Sequence, residues 1–252
     1  MTRILGNYFF PEFRTVTQLF DIEKVQYKEE SKFDVFTENG INDFTHLNPS
    51  MSGVGAYIGT EKIVADGATL IKFMSRTFHL DDLYPVEDPE ERNQIDCYLD
   101  FAFYSLKKTT DRLTKLFIIK NMIAAGKKPA KAAEYTDEYI AEEWESESVV
   151  LLEQIIPSLE ESLSSRRTPY LTGTHLTVAD LAVFNELLNV LTVLRLSQID
   201  SDKTPLVAQW FKSIASRSEV SKGTNKFLEQ FRRLDPEQQT ASLPTEATPA
   251  KA

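Results

Sequence analysis

The sequence carries few of the side chains that usually act as metal ligands or nucleophiles. Its three histidines, His46, His79 and His175, are far apart along the chain. A protein metal site needs several His, Cys or carboxylate ligands at a recurring spacing, so this pattern predicts no metal centre. The only cysteine, Cys97, has no adjacent histidine or basic cluster that would stabilise its thiolate, and we interpret it as unreactive. The chain also lacks a glycine-rich phosphate loop.

A Thr and an Asp three residues apart mark the start of a helix rather than a catalytic pair. In the stretch LTGTHLTVADLAV, Thr177 and Asp180 occupy the N-cap and N3 positions of a capping box. Each side chain then accepts a hydrogen bond from a backbone N–H of the other residue. We therefore predict a structural role for both side chains and a helix over 178–196.

Apolar periodicity predicts a small α/β domain in the first 79 residues. The elements follow the order β-α-β, an irregular segment, and then β-β-α. The predicted strands and helices are 3–10, 12–22, 25–30, 54–59, 62–65 and 66–78.

The rest of the chain is predicted to be helical. Residues 80–91, LDDLYPVEDPEE, are acidic, contain two prolines and are typical of a linker. An all-helical domain follows over 92–234, and Pro157 is expected to kink one of its helices. Its predicted helices are 92–125, 149–163, 178–196 and 205–216. The tail, 235–252, is polar, rich in Pro and Ala, and predicted to be disordered.

The segment 134–148, EYTDEYIAEEWESES, contains seven acidic and no basic residues. A solvated helix face explains that composition, and a docking face for a basic partner is the alternative. A basic segment, AGKKPAK at 125–131, comes shortly before it.

The net charge argues against a nucleic acid partner, and the cysteine count favours a reducing compartment. The chain has 28 Lys and Arg against 38 Asp and Glu, a net charge of −10, so we expect no nucleic acid partner. One cysteine permits no intrachain disulfide, which fits a reducing compartment. No apolar run approaches the roughly 18 residues of a membrane span. We expect a soluble cytosolic protein, with mitochondria as the alternative because Arg3 and Arg14 are compatible with import targeting.

Four stretches resemble the glutathione transferase superfamily, and its theta-like group in particular. They are LNPSMSGVGAYIG (47–59), ADGATLIKFMSRTF (65–78), LYPVEDPEERNQIDCYLDF (83–101) and PYLTGTHLTVADL (169–181). The resemblance extends to about residue 233. It implies a thioredoxin-like α/β domain that binds glutathione, an all-α domain that lines a pocket for an electrophile, and a dimer.

The resemblance also implies a group that stabilises the thiolate of glutathione, because the thiol is mostly protonated at neutral pH. Theta-like relatives use a serine four residues before the arginine that matches Arg14, and here that residue is Phe10. Relatives that use a tyrosine place it six residues before the same arginine, which matches Tyr8. Tyr8 is therefore the candidate catalytic residue, and a core aromatic is the alternative interpretation.

Two other parts of the implied glutathione site are altered. The family's Val-Pro pair, which has a cis peptide, matches Val54–Gly55, and a glycine there predicts a trans peptide. The family's acid-Ser pair at a helix start matches Asp66–Gly67, which keeps the acid and loses the hydroxyl. We therefore predict a degenerate site at Val54, Asp66 and Gly67, with no cofactor and with glutathione as a weak ligand at most.

These departures favour a non-catalytic protein that acts as a structural or interaction subunit. Its partners are expected to be proteins, in a larger complex or in a homodimer. The alternative is an active theta-like transferase that conjugates glutathione to small electrophiles, with Tyr8 or a backbone N–H in place of the serine. A scaffold module like those of translation factors is a third interpretation.

Overall fold

The computed structural model describes residues 1–31, 53–63, 65–124, 126, 134–196 and 199–234. The predicted irregular segment after the second strand, most of the basic segment and the predicted disordered tail lie outside these ranges.

The first domain is built on a four-stranded sheet in the order β2-β1-β3-β4. The strands are β1 (Thr2–Gly6), β2 (Tyr27–Glu30), β3 (Val54–Ile58) and β4 (Glu61–Ile63). β1 pairs with β2 in parallel and with β3 antiparallel, and β3 pairs with β4 antiparallel. The parallel pair needs a crossover, which α1 (Pro11–Ile22) supplies, and α2 (Gly67–Phe78) follows β4.

The first strand ends at Gly6, four residues before the predicted end, because Asn7 turns the chain. The Asn7 side-chain oxygen accepts a hydrogen bond from the N–H of Phe9 at 2.8 Å, and its carbonyl accepts one from the N–H of Phe10 at 3.0 Å. Turns of this kind are typical of asparagine. Tyr8, Phe9 and Phe10 therefore lie between β1 and α1 rather than in the sheet.

The second domain is all helical, as predicted, and two of its long helices contain a π-helical turn. α3 (Pro89–Asp100) continues through Phe101–Leu106 into α4 (Lys107–Ala124). α5 (Asp137–Val149) continues through Val150–Ile155 into α6 (Ile156–Arg166). The remaining helices are α7 (Val178–Val193), α8 (Pro205–Ala215) and α9 (Ser218–Leu234). α9 is not among the helices predicted from the sequence.

Local interactions explain where the helices depart from the predicted pattern. α3 begins at Pro89 rather than at residue 92, because the Asp88 carboxylate accepts hydrogen bonds from the N–H groups of Glu90 and Glu91, each at 3.0 Å. A π-helical turn, Val150–Ile155, lies immediately before Pro157, and the kink expected at this proline stays a prediction. Proline lacks the N–H that a regular helix requires, so the backbone changes its hydrogen-bond pattern there.

The buried helix α7 begins with the predicted capping box and contacts both domains. The N–H of Thr177 donates to the Asp180 carboxylate at 2.9 Å, and the reciprocal bond is also present. α1 packs against α7 and α9, so one hydrophobic core runs through both domains. Within the described part of the chain, no helix is both long and apolar enough to cross a membrane.

Candidate functional site

The predicted site residues of β3 and α2 are engaged in local structure. Val54 begins β3, pairs with Gly6 and is fully buried, and the Val54–Gly55 peptide is trans. Asp66 is the N-cap of α2. One of its carboxylate oxygens accepts a hydrogen bond from the N–H of Thr69 at 2.9 Å, and the other accepts one from the Thr69 hydroxyl at 2.8 Å. The Asp66 carboxylate is therefore used by its own helix.

Glu12, in the first turn of α1, occupies the space beside Gly67. Its side chain is 2% exposed. A Cβ added to Gly67 would lie 2.5 Å from Cγ of Glu12, and one added to Gly53 would lie 2.8 Å from its Oε2. Real Cβ atoms do not approach other atoms that closely, so only glycine at these two positions leaves room for Glu12. Glu12 is not among the predicted site residues, because an acid in the first turn of a helix is usually solvated and interacts with the helix dipole.

Glu12 belongs to a charged cluster at the interface of α1, α4 and α7, which we define as Glu12, Lys107, Asp111 and Glu186. Lys107 Nζ lies 3.2 Å from Glu12 Oε1 and 3.0 Å from Asp111 Oδ1. The fully buried Glu186 accepts a hydrogen bond from the Thr110 hydroxyl at 2.5 Å. Glu12 Oε2 and Glu186 Oε1 are also buried, and neither has a hydrogen-bond partner among the described residues.

The charged cluster holds more negative than positive groups, and this imbalance favours a proton on Glu186. Burial raises the pKa of Glu186 to about 8, and the charges of Glu12 and Asp111 act in the same direction. Lys107 and the bond from Thr110 oppose this increase. Burial also works against the charge of Lys107, but the surrounding carboxylates outweigh burial and raise its pKa. At neutral pH Glu186 is therefore mostly protonated while Lys107 is charged.

We expect the Glu186→Gln variant to gain stability over wild type as the pH rises from 5 to 8. The unfolded chain releases the Glu186 proton near pH 4.5, whereas the folded chain keeps it up to about pH 8. In this window the unfolded state binds fewer protons, so rising pH destabilises wild type, and glutamine removes that effect. The relative gain should be about 2–4 kcal/mol, measured by urea unfolding at several pH values. The exposed Glu142→Gln is the control, and equal pH slopes for Glu186→Gln and wild type would refute the expectation.

The Tyr8 hydroxyl lies on the β2 side of β1, whereas Val54 lies on the β3 side. The Tyr8 hydroxyl donates a hydrogen bond of 2.5 Å to Glu29 on β2, and Lys226 Nζ is 3.1 Å from the same hydroxyl. Burial raises the pKa of Tyr8. The hydrogen bond to Glu29 and the negative charge of Glu29 raise this pKa further. A hydroxyl that already donates to a carboxylate is not available to stabilise a thiolate.

Helix α9, which the sequence analysis missed, supplies Lys226 and covers Tyr8. The ammonium of Lys226 lies 4.4 Å from the centre of the Tyr8 ring and also binds Glu29 at 3.0 Å. The buried residues Val220, Phe227 and Phe231 are seven and four positions apart, a spacing that repeats on one helix face. That spacing was the available signal for α9.

Aromatic side chains pack the interface between α9, α4 and the segment that follows β1. Phe227 contacts Phe9 with their ring centres 6.0 Å apart, and Phe231 stacks on Phe117 at 4.8 Å. All four rings are buried. This part of the interface is therefore filled by the protein's own side chains.

Comparison with known proteins identifies the architecture. Residues 119–226 match the family model of the glutathione S-transferase C-terminal domain. Isozyme E7 of Drosophila melanogaster glutathione S-transferase is 20% identical with a TM-score of 0.68, over 92% of this chain and 96% of that chain. A glutathione transferase homolog from Drosophila mojavensis, solved with bound glutathione, is 17% identical with a TM-score of 0.70, again over 92% and 96%. The chain has the glutathione transferase fold.

A third structure with the glutathione transferase fold gives the same result. The diazinon-metabolizing glutathione S-transferase of the silkworm Bombyx mori is 16% identical, with a TM-score of 0.66 over 91% of this chain and 98% of that chain. A sequence comparison with curated proteins gives no match.

The resemblance to the superfamily and the predicted combination of a thioredoxin-like domain with an all-α domain are confirmed, while the theta-like assignment stays a prediction.

In this glutathione transferase fold, a buried arginine ties the segment after β1 to α7. Arg14 donates to the carbonyls of Tyr8 at 2.5 Å and Phe9 at 3.2 Å. It also donates to the Asn185 carbonyl at 2.8 Å and to the side-chain oxygens of Asn185 at 3.0 Å and Asn189 at 2.5 Å. Burial lowers the pKa of Arg14 to about 9, which leaves it charged at neutral pH. Arg14 is therefore a structural link between the domains.

Proposed function

We propose that this chain is a non-catalytic protein with the glutathione transferase fold that serves as a structural or interaction subunit. The observation that supports this most directly is the buried Glu12 carboxylate beside Gly53 and Gly67. The resemblance to the family implies that glutathione would bind along β3 and the start of α2. Glutathione carries a net negative charge at neutral pH, so a fixed carboxylate in that space opposes its binding by volume and by charge.

The two side chains considered for thiolate stabilisation also argue against catalysis. Phe10, in place of the serine of theta-like relatives, has no donor. The Tyr8 hydroxyl is committed to Glu29. A hydrogen bond to a charged group is worth about 1.5–3 kcal/mol, so its loss alone would reduce thiolate stabilisation by roughly one to two orders of magnitude.

The acidic face of α5 is the surface that we propose for partner contact. Two of its carboxylates, Glu143 and Glu147, pair with Arg112. Four others are exposed and form no salt bridge within the described ranges: Asp137, Glu138, Glu142 and Glu145. Excess exposed charge of one sign steers association with a surface of the opposite sign, so a basic protein partner is favoured. A homodimer is the other predicted assembly.

The catalytic part of the proposal is tested by assaying conjugation of glutathione to an aryl halide by wild type and Tyr8→Phe. We expect both proteins to leave the uncatalysed rate unchanged, because the Tyr8 hydroxyl is held by Glu29. Catalysis by wild type that is lost in Tyr8→Phe would instead support the active theta-like transferase.

The interaction part is tested by isolating the tagged protein from its native cytosol, or from mitochondria as the alternative source. We expect it to elute in a complex larger than a homodimer. Asp137→Lys combined with Glu138→Lys should weaken that complex at least tenfold, whereas Glu61→Lys, an exposed charge reversal on β4, should not. Elution of wild type as a free monomer from both sources would contradict a subunit role.

A further inference from the structure

An exposed aliphatic pair lies where α5 passes into its π-helical turn. Val149 is the last residue of α5 and is 39% exposed, and Leu152, within the turn, is 44% exposed. Residues three positions apart are neighbours on the surface of a helix. The side of the helix that faces the core is marked by the buried residues Ile140 and Leu151. Val149 and Leu152, which we define as the aliphatic patch, therefore face solvent together.

Acidic side chains lie on both sides of the aliphatic patch. Glu138, Glu142 and Glu145 precede it, and Glu153 follows it. All four are exposed, and none of them forms a salt bridge with another described residue. We define these four residues as the acidic rim. An apolar centre within a polar rim is the usual anatomy of a protein–protein interface.

The spacing of the exposed residues suits a partner helix. Glu138, Glu142, Glu145 and Val149 are separated by four, three and four positions, the repeat that keeps side chains on one seam between two packed helices. The segment from Glu138 to Glu153 extends over about 24 Å, or more than four helical turns. A helix that lies along it would meet the acids at successive turns and the aliphatic patch beyond them.

Charge determines which kind of helix fits. The unpaired carboxylates require Lys or Arg on the partner, and aliphatic side chains must face Val149 and Leu152. Basic side chains are most favourable near the C-terminus of a helix. A second copy of this chain does not meet these requirements. Because acids flank the patch on both sides, a symmetric contact between two copies would place carboxylates opposite carboxylates.

We propose that the aliphatic patch and the acidic rim bind a basic amphipathic helix of a protein partner. This inference rests on the proposed function, because it names the kind of partner that the subunit binds. It goes further in that Val149 and Leu152 supply an apolar centre. The surface therefore selects a helix with basic and aliphatic side chains on one face, and not any basic protein.

A synthetic peptide tests the inference directly. The probe is a fluorescein-labelled helical peptide of about 18 residues, with two leucines to face the patch and three lysines toward its C-terminus at the spacing of the rim. Fluorescence anisotropy with the full chain at about 150 mM salt should show saturable binding. A peptide of the same composition, with its residues scrambled so that no single face carries them, should bind at least about tenfold more weakly.

Two matched leucine variants isolate the contribution of the patch. Leu152→Ser should weaken binding of the ordered peptide about fivefold, because about half of a leucine side chain is no longer buried on binding. Leu206→Ser changes a leucine on α8 that is 37% exposed, and it should leave binding unchanged. Both leucines are exposed, so neither substitution should impair folding.

Three results would overturn the inference. Equal affinities for the ordered and the scrambled peptide, or for Leu152→Ser and Leu206→Ser, would show that charge alone attracts basic peptides. Absence of peptide binding, with self-association of wild type that Leu152→Ser abolishes, would assign the patch to a second copy. A lack of both peptide binding and self-association would leave the patch without an occupant.

The native complex separates this inference from the proposed function. Elution of wild type as a free monomer from both native sources would contradict the subunit role, whatever the peptide does. A native complex that is isolated equally well with Leu152→Ser and that the ordered peptide does not displace would overturn the docking site alone.

Discussion

Replacing Arg14 with alanine should lower the free energy of unfolding by about 4 kcal/mol or more, because several buried acceptors lose their donor at once. The guanidinium binds the carbonyls of Tyr8 and Phe9 and the amide groups of Asn185 and Asn189. Urea unfolding measures the change directly, and the thermal midpoint should fall by about 8–16 °C.

Two variants show whether the geometry of the guanidinium is the cause. Arg14→Lys keeps the charge but offers one compact ammonium, so it should lose more than half as much stability as the alanine variant. Arg112→Ala removes a half-exposed arginine that pairs with Glu143 and Glu147, and it should cost less than about 1 kcal/mol. Similar losses for Arg14→Ala and Arg112→Ala would show that Arg14 does not link the domains as described.

Asp180→Ala should be about as damaging, with a loss of about 4 kcal/mol, because one buried carboxylate satisfies donors from three parts of the helical domain. It accepts hydrogen bonds from the N–H of Leu171 at 2.9 Å and the indole N–H of Trp210 at 2.8 Å. It also accepts bonds from the N–H of Thr177 at 2.9 Å and from its hydroxyl at 3.0 Å. Denaturant unfolding followed by Trp fluorescence reports this loss.

Asp66→Ala is the matched control, because Asp66 also caps a helix but lies closer to solvent. The Asp66→Ala substitution should lower the free energy of unfolding by about 1 kcal/mol, the usual contribution of a helix cap. If Asp180→Ala costs no more than Asp66→Ala, the carboxylate of Asp180 acts only as a local cap and does not hold α8 against α7.

Features set by neighbouring residues could be predicted from the sequence, whereas features set by distant contacts could not. The capping box of Thr177 and Asp180 follows from a spacing of three residues, and it is present. The additional bond from Trp210 to Asp180 comes from α8, thirty residues away, and no local pattern indicates it. The early end of β1 depends on Asn7, whose preference for turns was visible in the sequence but was outweighed by the apolar residues after it.

In the candidate site, too, the role of each side chain depends on contacts with residues that are distant in the sequence. Resemblance to the family drew attention to Tyr8, Val54, Asp66 and Gly67, but the direction of the Tyr8 hydroxyl is set by Glu29 and by α9. Burial of Glu12 is likewise a tertiary property, since it requires both glycines that face it. A shared fold therefore left the chemistry of this site undetermined until its packing was known.

Calorimetric titration of the wild-type protein with reduced glutathione is the most direct test of the proposal that the glutathione site is lost. We expect no saturable heat up to about 10 mM glutathione, and no change in thermal midpoint at that concentration. Binding with a dissociation constant near 0.1 mM, accompanied by a rise of about 5–10 °C in the midpoint, would contradict the proposal and favour an active transferase.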